Sequence, residues 1–275
     1  MLQMGGSTAP IGEMIDRTIQ GPAGRMRVRC YRPPATVARL LPAVLFFHGG
    51  GWVMGSLEGY DLVCRYFCAR TGCAVIAVDY RLAPEHKFPA AVDDAWAATR
   101  WVVSHASELG VDGRRIAVAG DSAGGNLAAV VALLARDAAD GAIALQVLVY
   151  PVTDLSSESK SYNDFAEGYM LTRDSMRWFK NHYLKSAGDA EDWRASPIRA
   201  KSLAGLPPAL VVTAGFDPLR DEGAAYAARL TEGGVRVDYV CYGGMIHGFV
   251  PMGRLIDTGN RAISHVAASL RQALR

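Results

Sequence analysis

The chain has 275 residues, half of them apolar, with 29 basic against 27 acidic side chains and a formal net charge of +2. That length holds one large domain with a well-buried core, or two small ones. No cluster of Lys and Arg marks a nucleic-acid or anionic-membrane partner, and the longest apolar stretch, 40–47, is interrupted by Pro42 and is far too short to insert stably in a bilayer. The first residues, Met-Leu-Gln-Met-Gly-Gly-Ser, carry neither a basic n-region nor an apolar h-region, so no secretory signal is read and a cytoplasmic location is expected. Five cysteines, at 30, 64, 68, 73 and 241, are an odd number in a large chain, which fits reduced thiols. Cys64 and Cys68 share a helical face without a further Cys or His at zinc spacing, so burial is expected there and no metal site.

Taken in order, the elements alternate. Residues 17–33 alternate around Gly21-Pro22 and Gly24 and read as an antiparallel hairpin on a sheet edge. Strands are expected at 43–48, 74–80, 115–120, 145–150, 209–214 and 235–242, with helices at 60–71, 89–109, 125–137, 221–232 and 261–274 between and after them. The strands are apolar at nearly every position, as a parallel sheet covered by helices on both faces requires. The β-then-α order predicts a single doubly wound α/β domain over 1–275, with about eight strands. More than fifty residues without a strand-like run separate the strands ending at 150 and starting at 209. One helical pattern, 173–184, lies within them. A gap of that length is expected to be a cap over the site, roughly 153–205.

Gly120-Asp121-Ser122-Ala123-Gly124-Gly125 follows a strand and opens a helix, the context of a nucleophile elbow. Its glycines relieve collisions on a tight turn, and the helix N-terminus directs free N–H groups and its dipole toward the serine. His48-Gly49-Gly50-Gly51-Trp52 also follows a strand. Its bare backbone N–H groups, with that of Ala123, would bind an oxyanion. A phosphate-cradling loop is the competing reading, but the Lys-Ser/Thr of a P-loop is missing and no acidic residue closes a dinucleotide fingerprint. His48 itself reads as a structural ring that ties the loop down.

A base and an orienting acid should follow the serine in the order Ser, Asp, His. Asp217 comes directly after a strand, and His247 lies just past the last one, both on the rim that carries Ser122. His105 and His265 fall within helical patterns, His182 in the cap and His86 in an extended stretch. Asp121 is too near the serine in sequence to orient its base, and Asp221 reads as a helix cap. Trp52, Phe88, Tyr162, Tyr169, Met170, Trp178 and Phe249 are the candidates to line an apolar pocket for a neutral ester.

These motifs, with Asp79-Tyr80-Arg81-Leu82-Ala83-Pro84-Glu85, Asp217-Pro218-Leu219-Arg220-Asp221-Glu222-Gly223 and His247-Gly248-Phe249, are collinear from about residue 25 onward. The chain thereby resembles the bacterial hormone-sensitive-lipase family of esterases, family IV of the lipolytic enzymes, with the α/β-hydrolase fold. The resemblance implies cofactor-free hydrolysis of carboxylic esters with short to medium acyl chains, and oxyanion donors at Gly50, Gly51 and Ala123. It also implies a possible homodimer through the edge formed by 235–242 and 261–274. Members of that family carry a longer segment ahead of the glycine triplet than the 47 residues found before His48 here. A reduced cap is therefore expected, with only a short remnant at 1–16. An amidase, arylformamidase or lactonase on the same fold shares this acyl chemistry, and fold alone does not separate them. A non-catalytic receptor on this scaffold would have lost triad residues that are present here.

Overall fold

The structure, a computed structural model, describes residues 9–34, 40–139, 143–253 and 255–275. Eight strands form one sheet in the order β1-β2-β4-β3-β5-β6-β7-β8, where β1 is Glu13–Gly21, β2 Gly24–Arg32, β3 Leu41–Phe47, β4 Ala74–Val78, β5 Val111–Asp121, β6 Ile143–Val149, β7 Ala209–Phe216 and β8 Val237–Ile246. The β1–β2 hairpin is antiparallel and β2 joins β4 antiparallel, while every pairing from β4 to β8 is parallel.

The side chains of β3 show why both faces must be covered. Ala43, Leu45 and Phe47 enter one core cluster, and Val44 and Phe46 enter the other, as the two-residue period of a strand dictates. Helices α2 (Ala90–Ser104), α3 (Ala123–Asp137) and α6 (Arg220–Glu232) pack on the first face. Helices α1 (Asp61–Thr71) and α7 (Asp257–Ala273) pack on the second. The helix expected at 89–109 stops at Ser104, and Gly110 turns the chain with a positive φ into a strand that starts four residues ahead of the expected 115.

Two boundaries change the reading of the cap. Strand β1 starts at Glu13, so residues 13–16 belong to the sheet and not to a cap remnant; residues 1–8 of that expectation lie outside the described residues. Between β6 and β7 the chain forms α4 (Lys160–Asp164), α5 (Arg173–Tyr183) and two single turns of 3₁₀ helix at Ala187–Glu191 and Pro197–Arg199. Thr172 caps α5, with Ser175 closing a reciprocal box. This segment is fastened at both ends. Glu222 Oε1 accepts the N–H groups of Thr153 and Asp154 at 2.6 and 3.2 Å, and Ser161 bonds Asp221 and the Pro218 carbonyl. Asn126 Nδ2, on α3, ties the other end to the start, donating to the carbonyls of Ala195 and Val152 at 2.9 and 3.0 Å.

Candidate active site

Strand β5 delivers Ser122 on a turn with φ 56° and ψ −119°, a conformation that costs a non-glycine residue and is held by what surrounds it. The turn tolerates no β-carbon on its flanks. One on Gly124 would lie 1.9 Å from the Phe47 carbonyl oxygen, and one on Gly120 would lie 2.2 Å from that of Gly124. Ser122 N–H donates to the Val149 carbonyl at 2.8 Å, and its own carbonyl receives Asn126 N–H at 3.0 Å, the first bond of α3.

Past the ends of β7 and β8, Asp217 and His247 face this serine. His247 Nε2 lies 3.0 Å from Ser122 Oγ, and Nδ1 lies 2.8 Å from Asp217 Oδ2. The hydrogen-bond pattern assigns the tautomer: Nδ1–H donates to the carboxylate and Nε2 accepts from the hydroxyl. The second Asp217 oxygen accepts Leu219 N–H at 2.9 Å, and the carboxylate is fully buried. Tyr150 packs its ring 4.6 Å from the imidazole, and Phe249 sits behind Tyr150.

The glycine loop approaches from β3. Gly50, Gly51 and Trp52 have φ of +116°, +62° and +60°, and Val53 and Met54 donate back to the Gly50 carbonyl at 3.1 and 2.9 Å. Among the described residues neither Gly50 nor Gly51 donates its own N–H to a backbone acceptor. Ala123 opens α3, so its N–H has no acceptor four residues back. His48 is the tether expected of it. Its ring stacks on Tyr80 at 4.3 Å, Nδ1 reaches the Gly49 carbonyl at 2.8 Å, and burial holds its pKa below the ordinary value.

The pocket candidates divide into two groups. Trp52, Phe88, Tyr162 and Phe249 are packed inside the protein and present no open face. Trp52 stacks on Tyr183 at 4.1 Å with Phe88 edge-on, Tyr162 lies against Glu222, and Phe249 fills the core beneath Tyr150 and Tyr242. Their apolar surface serves packing. Tyr169, Met170 and Trp178 are at the surface beside the site. Met170 comes within 3.6 Å of where a Gly248 β-carbon would be, and Tyr169 stacks on Phe216, the neighbour of Asp217. Trp178 stands edge-on to Phe179. Phe165 and Phe216 pack with Tyr169, and Phe179 packs with Trp178; the sequence reading omitted these three. Adjacency to Asp217 marks Phe216, and a shared helical face with Met176 and Tyr183 marks Phe179. Asp221 sits in the first turn of α6 and receives Ser161 N–H, so it fastens the segment between β6 and β7 and does not cap the helix. The remaining histidines stand apart from the triad: His105 and His182 bond the carbonyls four residues back, His265 bonds Asp238, and the His86 N–H closes a turn onto Leu82.

A strand-elbow-helix nucleophile, a glycine loop on the neighbouring strand and an Asp–His pair on the same rim define a serine hydrolase. The chain matches a family described by its α/β-hydrolase fold over residues 44–251. It is 45% identical over 268 residues to the carboxylic ester hydrolase LipN of Mycobacterium tuberculosis, covering 95% of this chain and 71% of that one. It is 42% identical to an ethyl acetate hydrolase of Pseudomonas putida, covering 90% and 78%. The structure superposes with a TM-score of 0.94 on EstE1, a thermostable carboxylesterase cloned from a metagenomic library, at 49% identity and over 97% of this chain and 91% of that one. The chain belongs to the hormone-sensitive-lipase-like family of α/β hydrolases and is a carboxylic ester hydrolase. Among the described residues no helix is long and apolar enough to cross a membrane.

Proposed function

We propose that Ser122, His247 and Asp217 carry out ester hydrolysis through an acyl-enzyme, with Gly50, Gly51 and Ala123 donating to the oxyanion. His247 Nε2 takes the Ser122 proton as Oγ attacks the ester carbonyl. The carbonyl oxygen gathers charge beside the three backbone N–H groups. Asp217 holds the imidazole in its reactive tautomer and stabilises the imidazolium that forms. That cation returns its proton to the departing alcohol. Water, deprotonated by the same nitrogen, then releases the acid from Ser122. The observation that carries this reading is the continuous relay Asp217–His247–Ser122, at 2.8 and 3.0 Å.

The substrate is a neutral ester of short to medium acyl chain. The aromatic and thioether wall of Phe179, Trp178, Tyr169, Met170 and Phe216 is apolar, and a relative carries the name ethyl acetate hydrolase. The segment 153–205 acts as the cap. Five free cysteines support a reducing, cytoplasmic setting. Strand β8 ends the sheet with Tyr239 and Cys241 exposed, which supports a homodimer formed through that edge. Light scattering across a concentration series tests it, and a constant monomer mass refutes it.

The deciding experiment is hydrolysis of p-nitrophenyl esters from acetate to palmitate by wild type and Ser122→Ala. Short-chain activity that vanishes in the variant supports the nucleophile. Equal activity of the two proteins overturns the assignment. An inactive, folded wild type turns attention to amides and lactones.

A further inference from the structure

The residue before the nucleophile is a second buried carboxylate that the acyl-transfer cycle leaves unused. Asp121 is almost wholly buried at the end of β5, between the glycine loop and the triad. Oδ1 accepts the N–H of Gly49 at 2.9 Å, and Oδ2 accepts the Tyr60 hydroxyl at 3.0 Å. The fit leaves no slack, since a β-carbon on Gly49 would lie 2.5 Å from Oδ2 and 2.8 Å from the Tyr60 oxygen. Gly49 adjoins the first proposed oxyanion donor, and Asp121 adjoins the nucleophile, so one side chain spans the two halves of the site.

We infer that Asp121 is a positioning residue that locks the glycine loop to the nucleophile elbow and supplies a second negative charge facing the His247 imidazolium. The inference rests on the ester-hydrolysis reading above. A hydrogen bond to Gly49 alone does not require an acid. An amide would accept the same N–H without the penalty of burying a charge. Burial raises the Asp121 pKa to about 6, while the Tyr60 hydroxyl and the field of His247 act in the opposite direction, so the group is ionised at neutral pH and above. The groups that face it are the hydroxyls of Tyr60, Tyr80 and Tyr150, the Cys64 thiol and His247. Burial pushes the three tyrosines and the cysteine well up, so they stay neutral. His48, which stacks on Tyr80 and lies tilted against Tyr60, is held down by burial and is neutral as well. The imidazole itself is bracketed by Asp217, Ser122 and Tyr150. The field of Asp121 therefore falls on the ring that becomes cationic during proton transfer.

The test is the pH profile of kcat and kcat/KM on p-nitrophenyl butyrate for wild type, Asp121→Asn, Asp121→Ala and Tyr60→Phe. Asp121→Asn keeps the Gly49 acceptor and removes the charge. Its kcat falls about tenfold with KM held within about twofold, and the acid limb of kcat/KM moves about half a pH unit or more toward acid, because the imidazolium has lost a stabilising anion. Asp121→Ala also frees the loop and loses about 10²–10³-fold in kcat, on the scale of one oxyanion donor. Tyr60→Phe retains the charge but raises the pH at which it forms, so its loss is greater at pH 6 than at pH 8. It decides the question if Asp121→Asn does not fold. An Asp121→Asn profile that overlays wild type in position and height overturns the inference, as does a Tyr60→Phe profile unchanged at both pH values. Failure of the wild type on every ester removes the parent reading instead.

Discussion

The ring of Phe179 occupies the space that a side chain on Gly51 would need: a β-carbon there would fall 2.2 Å from Phe179 Cδ1. A residue of α5 thus roofs the glycine whose N–H we assign to the oxyanion, and the missing side chain is what admits it. Phe179→Ala opens this volume. The ratio of kcat/KM for p-nitrophenyl octanoate over acetate is expected to rise about tenfold, within the range that small volume changes in an apolar pocket produce. Gly51→Ala meets both the ring and a φ of +62°; its kcat is expected to fall about 10²-fold. A chain-length profile of Phe179→Ala identical to wild type would separate the ring from the substrate.

Asp217→Asn leaves the shape of the relay intact but lets the amide turn an N–H toward Nδ1, which favours the wrong imidazole tautomer. The expected loss is about 10⁴-fold in kcat with the thermal midpoint little changed. A loss below tenfold would show that the Asp217–His247 contact at 2.8 Å is not used in the cycle.

Glu222 gives the fold a pH dependence of its own. It is buried where α6 meets the segment that follows β6, and burial raises its pKa from 4.5 to about 8 despite the Thr153 and Asp154 N–H groups that favour its anion. Its Oε2 has no hydrogen-bond donor of good geometry, with the Tyr162 hydroxyl as a neighbour. A carboxyl whose pKa is higher folded than unfolded binds its proton more tightly in the folded state. Its stabilising contribution is complete below the unfolded value near 4.5 and is lost as pH rises through about 8. Glu222→Gln removes that slope. The thermal midpoint of the variant minus that of wild type should grow more positive from pH 5 to pH 9, and a constant difference would refute the assignment.

Trp52 tests which aromatics are structural. Its indole stacks on Tyr183 at an interplanar angle of 4°, and Nε1 has no hydrogen-bond partner. Trp52→Ala is expected to cost about 3–5 kcal/mol of stability and lower the thermal midpoint by on the order of 10 °C. Trp52→Phe strands no polar atom and should cost well under half as much. Equal losses in the two variants would contradict the packing argument.

The inner strands were legible because a sheet buried on both faces writes itself as short apolar runs, and β3 with its neighbours does so; their order across the sheet, with β4 outside β3, was not. The elbow, the glycine loop, Asp217 and His247 stood out because tight turns need glycine at set positions beside one reactive group. In the structure Ser122, His247 and Asp217 lie within hydrogen-bond distance of one another in turn. The pocket wall was less legible. Trp52, Phe88, Tyr162 and Phe249 lie near the motifs in sequence, but closeness along the chain says nothing about which way a ring points. In α5 the helical period did hold the answer. Met176, Phe179 and Tyr183 fall on one face and turn inward, while Trp178 falls beside that face and stays half exposed. The tie between Asp121 and Gly49 spans 72 residues, and no local pattern announces it.

The fastening of the segment between β6 and β7 separates what can drift from what cannot. Its start is held by Glu222, Asp221 and the Pro218 carbonyl, and its end by Asn126. These anchors sit within a few residues of Asp217 or Ser122, so they inherit the constraints on the triad. Between them Phe179 and Tyr183 are tied to the glycine loop through Gly51 and Trp52, and the surface side chains of Met170 and Trp178 carry no such duty. Substitution of those surface side chains is therefore expected to change substrate range while the reacting groups stay in register.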